Sequence, residues 1–269
     1  MKMNEVSNPL AGPAPAEVPL SSAPLLRVVA QVRFPLIASI ERREFIGPFQ
    51  EAIRGDYPVL RSEQTVGAVL GPHGVVETQA PSITWRFHDR SGTWRASLAP
   101  GFVALETTAY TSRADFLVRL ERLLRTTDRL IDPQVIDRLG IRYIDRIAWA
   151  GSDDFEKLVR AEVAGILACP FGDSARQALT HSVFSLPDGA GELMARWGLM
   201  PANSTIDPAA VEPMDAASWI LDLDAYAAQE QPMDVDSLMG QVGAFAKRIY
   251  AFFRWAVTTE FLERFGGGL

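Results

Sequence analysis

A single cysteine, Cys169, stands in a chain of 269 residues, so no disulfide can close within it and a stapled framework is excluded. Histidine is nearly as scarce: His73, His88 and His181 form no zinc-ligand spacing with Cys169, and neither a metal nor a cofactor is expected. Lys2, Lys157 and Lys247 are the only lysines, which leaves arginine to carry nearly all the positive charge. No apolar run reaches the roughly 18 uncharged residues of a membrane span. Residues 1–26 also lack a basic segment followed by an apolar core, so the expectation is a cytoplasmic protein without membrane contact.

The hydrophobic content of 48% excludes disorder of the whole chain and suffices for one large domain or two small ones. Charge is unevenly spread. Residues 25–150 hold 17 basic and 14 acidic side chains, a balance of +3, whereas 151–269 hold 8 and 17, a balance of −9; the first 24 add −1, recovering the overall −7. The acidic total disfavours nucleic acid as a partner, while the basic first part leaves room for a local anion site.

Residues 1–24 are rich in Pro, Ala and Ser without apolar periodicity, so a mobile arm is expected, and removal of residues 1–20 is expected to leave thermal stability nearly unchanged. The β-branched run "LLRVVAQVRF" at 25–34 reads as a strand that Pro35 stops. Apolar spacing at 45, 46, 49 and 53 predicts a helix. Alternating segments at 66–70, 75–79, 82–89, 93–99 and 101–110, broken by Gly-Pro, Ser-Gly and Pro-Gly pairs, predict an antiparallel meander. A second helix follows from Ser112, with Phe116, Leu117, Leu120, Leu123 and Leu124 on one side.

The order then repeats. "RLGIRYIDRIAWA" reads as a strand, 153–168 as one helix, "QALTHSVFSL", "GELMARWGLM" and "SWILDLDAYA" as strands, and 235–264 as one long helix. "LETTAY" at 105–110 aligns without gaps on "LDLDAY" at 221–226, and Arg33 falls on Arg146. The expected class is therefore α+β, with two related strand–helix–meander–helix units, 25–137 and 138–269, behind the arm 1–24.

The early "VRFP" at 32–35, the central "RLGIRYIDRI" at 138–147 and "WILDLDAY" before a long aromatic helix resemble a sporadically distributed family of uncharacterised bacterial proteins of this size. The likeness runs from Leu25 through most of the chain. It implies a shared fold and transfers no catalytic residue.

The arginines gather when strand faces are assigned, since side chains two apart share a face. Arg27, Gln31 and Arg33 lie together; Arg86 and His88 alternate with Trp85 and Phe87; Arg95 follows Trp94; and Arg142 shares a face with Ile144 and Arg146. Guanidinium suits bidentate recognition of carboxylate or phosphate. Arg27, Arg33, Arg86, His88, Arg95, Arg142 and Arg146 are thus the candidate ligand-binding set, for an anionic small molecule or an acidic protein partner. The competing reading pairs them internally with Glu106, Asp222 and Asp224. A binding or accessory protein is favoured, the alternative being an enzyme acting on a phosphorylated or anionic small molecule in a groove between the units.

Catalytic signals are weak. Glu106, Asp145, Asp222 and Asp224 could serve as bases or metal ligands, but strand carboxylates more often face water or arginine. Triphosphate-tunnel enzymes open on an alternating Glu-x-Glu-x-Lys pattern that is missing here. "FGDSA" at 171–175 has no Asp-x-x-His to complete a triad, Cys169 has no evident base, and "GAGE" at 189–192 is a hairpin turn. The last helix carries a seam of Leu238, Val242, Phe245, Ile249, Phe252 and Ala256, widened by Tyr250, Phe253 and Trp255. That width implies burial on two sides or a homodimer contact through this C-terminal helix.

Overall fold

The computed structural model describes residues 8–65, 68–71, 74–78, 82–149 and 151–268. The meander positions 66–67 and 79 and the arm positions 1–7 lie outside the described residues. Strand β1 (Leu25–Arg33) and helix α1 (Arg43–Ile53) come first, followed by β2 (Val59–Thr65), β3 (Ala68–Gly71), β4 (Gly74–Thr78), β5 (Ser82–His88), β6 (Trp94–Ala99) and β7 (Phe102–Thr107). Helix α2 (Arg113–Ile131) and β8 (Val135–Ile136) lead to β9 (Arg138–Ala148). Then come α3 (Ser152–Leu158), α4 (Ala161–Ala164), β10 (Ala178–Ser185), β11 (Glu192–Met200), β12 (Ser218–Ala227), β13 (Gln231–Pro232), α5 (Val235–Ala256) and α6 (Thr259–Arg264). The class is α+β, with a nine-stranded sheet in the order β10-β11-β12-β9-β1-β7-β6-β5-β2.

Contacts divide the chain into two compact units. The first is Val29–Gly140 with Ala228–Val242; the second is Met1–Val28, Ile141–Ala227 and Gly243–Leu269. In the first unit, antiparallel register sets Trp85 against Leu98 and Phe87 against Ala96, which lines up one apolar face. Phe49 of α1 meets Phe87 at 5.6 Å and Phe116 of α2 meets Trp94 at 5.8 Å, while the Trp85 indole donates to the Ile40 carbonyl at 2.8 Å. Helix α2 starts where Ser112 accepts from the Asp115 N–H at 3.1 Å, the side chain satisfying one of the orphan amides of the first turn.

In the second unit Phe252 of α5 lies 5.8 Å from Phe184 and 6.1 Å from Trp197, whose indole donates to the Val163 carbonyl at 3.0 Å. Two expected helices are broken. The span 153–168 splits because the Arg160 N–H is taken by the Ala256 carbonyl and Val159 bridges Val257, which holds Val159 in extended backbone. The span 235–264 splits at Val257–Thr258, where Leu158 accepts from the Thr258 N–H and the Thr258 hydroxyl caps α6 at Phe261. Strand β2 was not expected; its Arg, Ser, Glu and Gln residues carry no apolar alternation. Gly198 in β11 has φ of 144°, and a Cβ there would sit 1.8 Å from the Ala178 carbonyl, so only glycine admits this approach of β10.

Along β9, the Arg146 N–H donates to Pro24 and the Asp137 N–H to Arg33, each at 2.9 Å. Leu139, Gly140 and Ile141 are buried in succession on β9.

Part of the described segment 8–24 is tied to α5 and to the C-terminal end. The Val18 N–H donates to the Tyr250 hydroxyl at 2.7 Å, that hydroxyl donates to Ala16 at 3.2 Å, Arg248 donates to the Gly12 carbonyl, and Ser22 donates to Phe265 at 3.1 Å. Backbone without secondary structure of its own is here satisfied by side chains of α5. The wide aromatic seam of α5 is accordingly covered in part by its own chain, with Phe261 of α6 against Phe253 at 5.6 Å. Deleting residues 1–20 should lower the melting temperature by about 4–8 °C, for a loss of roughly 2 kcal/mol in a chain of this size; an unchanged melting curve would show that the docking contributes nothing.

Candidate functional site

Asp222 decides what the arginines of the second unit do. It points from β12 with 0% of its side chain exposed, and two guanidinium groups surround it. Arg142 of β9 donates from Nε to Oδ1 at 2.7 Å and from the terminal nitrogen to Oδ2 at 3.0 Å. Arg196 of β11, the register partner of Asp222, donates to Oδ2 at 2.9 and 2.5 Å. The remaining terminal nitrogen of Arg142 donates to Asp207 at 2.7 Å.

Two cations meet two anions, so the quartet is self-neutral. Burial pulls the Arg142 guanidinium down, but its hydrogen bonds and charges with Asp222 and Asp207 outweigh that and leave it above the ordinary arginine value. Asp207, raised by burial, is brought below the usual carboxylate range by Arg142. A buried ion pair withstands desolvation only when its geometry and remaining hydrogen bonds are good, as they are here.

Asp207 belongs to the 201–217 connection, which folds back over this face. Thr205 Oγ1 donates to the Val211 carbonyl at 2.6 Å and accepts from the Asp207 N–H at 3.2 Å. Val211 and Ala210 pack with Ile144, Met200 and Ile220, and the Arg146 terminal nitrogen donates to the Glu212 carbonyl at 2.8 Å. Arg142, Ile144 and Arg146 thus all engage this connection.

The other candidates are distributed. Arg95 donates to Glu106, its cross-strand partner, at 2.8 Å, and Arg86 donates to Glu63 at 3.0 Å and Ser97 at 2.8 Å. His88 lies opposite Arg95 and is pushed below its usual value by burial, then by the charges of Arg95 and Arg61. Arg33 is exposed, 3.9 Å from Asp137, and Arg27 is half-buried on β1. Arg146 differs from these. Among the described residues no carboxylate forms an ion pair with it, and burial lowers its pKa.

Arg146 opens on a cleft of about 320 Å³ that Pro24, Trp149, Asp154, Phe155 and Arg264 also line. Trp149 and Phe155 stand 5.1 Å apart, and Phe155 continues to Trp219 at 5.2 Å. Arg264 grips Asp154 through two bonds of 2.5 and 2.7 Å, and this hydrogen bonding holds the Asp154 carboxyl below the usual range. The lining charge is +2 from Arg146 and Arg264 and −1 from Asp154, a balance of +1. Arg196, Asp207, Asp154 and Arg264 were missed by the sequence reading. Alternation in "ELMARWGLM" could have flagged Arg196; nothing local signals the other three.

No protein-family model matches the chain, and no curated protein matches it. Among the described residues no helix is long and apolar enough to cross a membrane, and no cluster of His, Cys, Asp and Glu could hold a metal ion.

Two predictions follow from the charges. Asp222→Ala leaves Arg142 and Arg196 facing each other without their shared anion and should cost about 3–5 kcal/mol in denaturant unfolding, whereas Arg33→Ala should cost under about 0.5 kcal/mol; equal effects would refute the quartet. Asp145, buried on β9, is raised to about 7 by burial and then by the Asp222 charge. An acid with a raised folded pKa contributes stability that is complete below the ordinary value near 3.8 and is lost as pH rises through about 7. Asp145→Asn should therefore gain a few kcal/mol on the parent between about pH 4.5 and pH 8; parallel stability curves would remove this role from Asp145.

Proposed function

We propose that this protein binds a small anion, a carboxylate or phosphate ester attached to an apolar or aromatic group, in the cleft at Arg146. One observation carries the reading: Arg146 is a partly desolvated guanidinium with a backbone carbonyl as its hydrogen-bond acceptor, set in a cleft of net charge +1. A volume of about 320 Å³ is at the lower end for small-molecule sites. Trp149 and Phe155 supply the apolar wall. The candidate set shrinks accordingly, because Arg86, Arg95 and Arg142 already hold carboxylates. Binding is favoured over acid–base chemistry because Asp154, the carboxylate of the cleft, is held low by Arg264 and is a poor proton donor.

We also infer that the two halves descend from one duplicated unit, as the repeated element order and the alignment of "LETTAY" on "LDLDAY" suggest. In support, one half runs β1-β7-β6-β5 across its strands and the other β9-β12-β11-β10, each first strand being followed in sequence by helix, meander and closing helix. Arg33 and Arg146 are then equivalent positions, one exposed beside Asp137 and the other turned to a cleft.

The cleft is tested by calorimetry with phenyl phosphate, benzoate and inorganic phosphate. Arg146→Gln should weaken the best of these by about tenfold or more, the loss of one charge-assisted contact, and Arg33→Gln should leave it unchanged. Failure of all three anions to bind the parent would discard the proposal.

A further inference from the structure

Strand β10 is an edge of the sheet, paired with β11 on one side through eight residues in unbroken register. Its sequence, ALTHSVFS, contains no acidic or basic residue other than His181, and no proline. Leu179 and Val183 are 44% and 52% exposed, and His181 between them is exposed as well. Edge strands in soluble proteins are commonly protected by charge, proline or a bulge. The opposite edge, β2, follows that practice with Arg61 and Glu63. β10 has none of these protections.

The residues of β10 also mirror one another about His181. Thr180 answers Ser182, Leu179 answers Val183, and small Ala178 answers large Phe184. We infer that β10 is a homodimer interface, in which two copies of this chain pair antiparallel through this edge about a twofold axis at His181. Leu179 of each copy then lies opposite Val183 of the other, covering four exposed apolar side chains, and Thr180 lies opposite Ser182. Apolar and hydroxyl cross-strand pairs of this kind are favourable. The strand's neutrality also lets two chains of net charge −7 meet without like charges opposed across the seam. The twofold fits a self-complementary patch, because each residue must face its own mirror position.

The experiment is analytical ultracentrifugation of the full chain, with Val183→Lys as the edge-blocking variant and Cys169→Ser/His181→Cys as a register probe. The parent should be a concentration-dependent dimer. Val183→Lys should be a monomer at the concentration where the parent is half dimeric, with its melting temperature in dilute, monomeric solution unchanged. His181→Cys should give a disulfide-linked dimer on mild oxidation, and this arm stands even where Val183→Lys folds poorly. A parent that stays monomeric overturns the inference, and so does a dimer that survives Val183→Lys without cross-linking at position 181.

Discussion

A carboxylate with no water contact must find its compensation inside the protein. Asp222 is in that position, and the second unit is arranged around it. Taking such an ion from water costs several kcal/mol even after relaxation. Arg142 and Arg196 answer from the strands on either side, which brings in a second positive charge, and Asp207 must then descend to restore neutrality. The descent of Asp207 carries the 201–217 connection over the sheet face, where Val211 and Ala210 find apolar partners and Glu212 offers a carbonyl to Arg146.

The same accounting separates structural arginines from the one with chemistry to spare. Arg95 with Glu106 and Arg86 with Glu63 make cross-strand and diagonal pairs of the kind that stabilise sheets modestly. Arg142 is more deeply placed and fully matched. Arg146 receives only a neutral carbonyl, so its field reaches into the cleft beside Trp149 and Phe155.

The N-terminal segment and α5 show how apolar width is resolved. A helix with apolar residues on more than one side needs more than one cover. Here the sheet-facing side takes Trp197 and Phe184, and Tyr250 and Phe253 meet residues 16–18 and α6. Residues 22–24 then extend to Phe265 and Arg146, so the same segment ends at the wall of the cleft.

Local pattern by itself determined the α+β class, the strands from β5 to β7 and β9 to β12, helix α2 with its Ser112 cap, and the common face of Arg142, Ile144 and Arg146. These rest on periodicity and short-range turn chemistry, which neighbouring residues carry. It also indicated that the arginines must meet either an anion or internal carboxylates. Which of the two holds at each position was a tertiary decision. Arg142 and Asp222 are 80 residues apart, Arg142 and Asp207 65, and Asp154 and Arg264 110, so no local signal links them. The breaks at Val159 and Val257 were equally hidden, because each is imposed by a backbone bond from the other segment. Charge pairing and helix breaking at these positions depend on which strands and helices become neighbours, and that is settled only when the whole chain has packed.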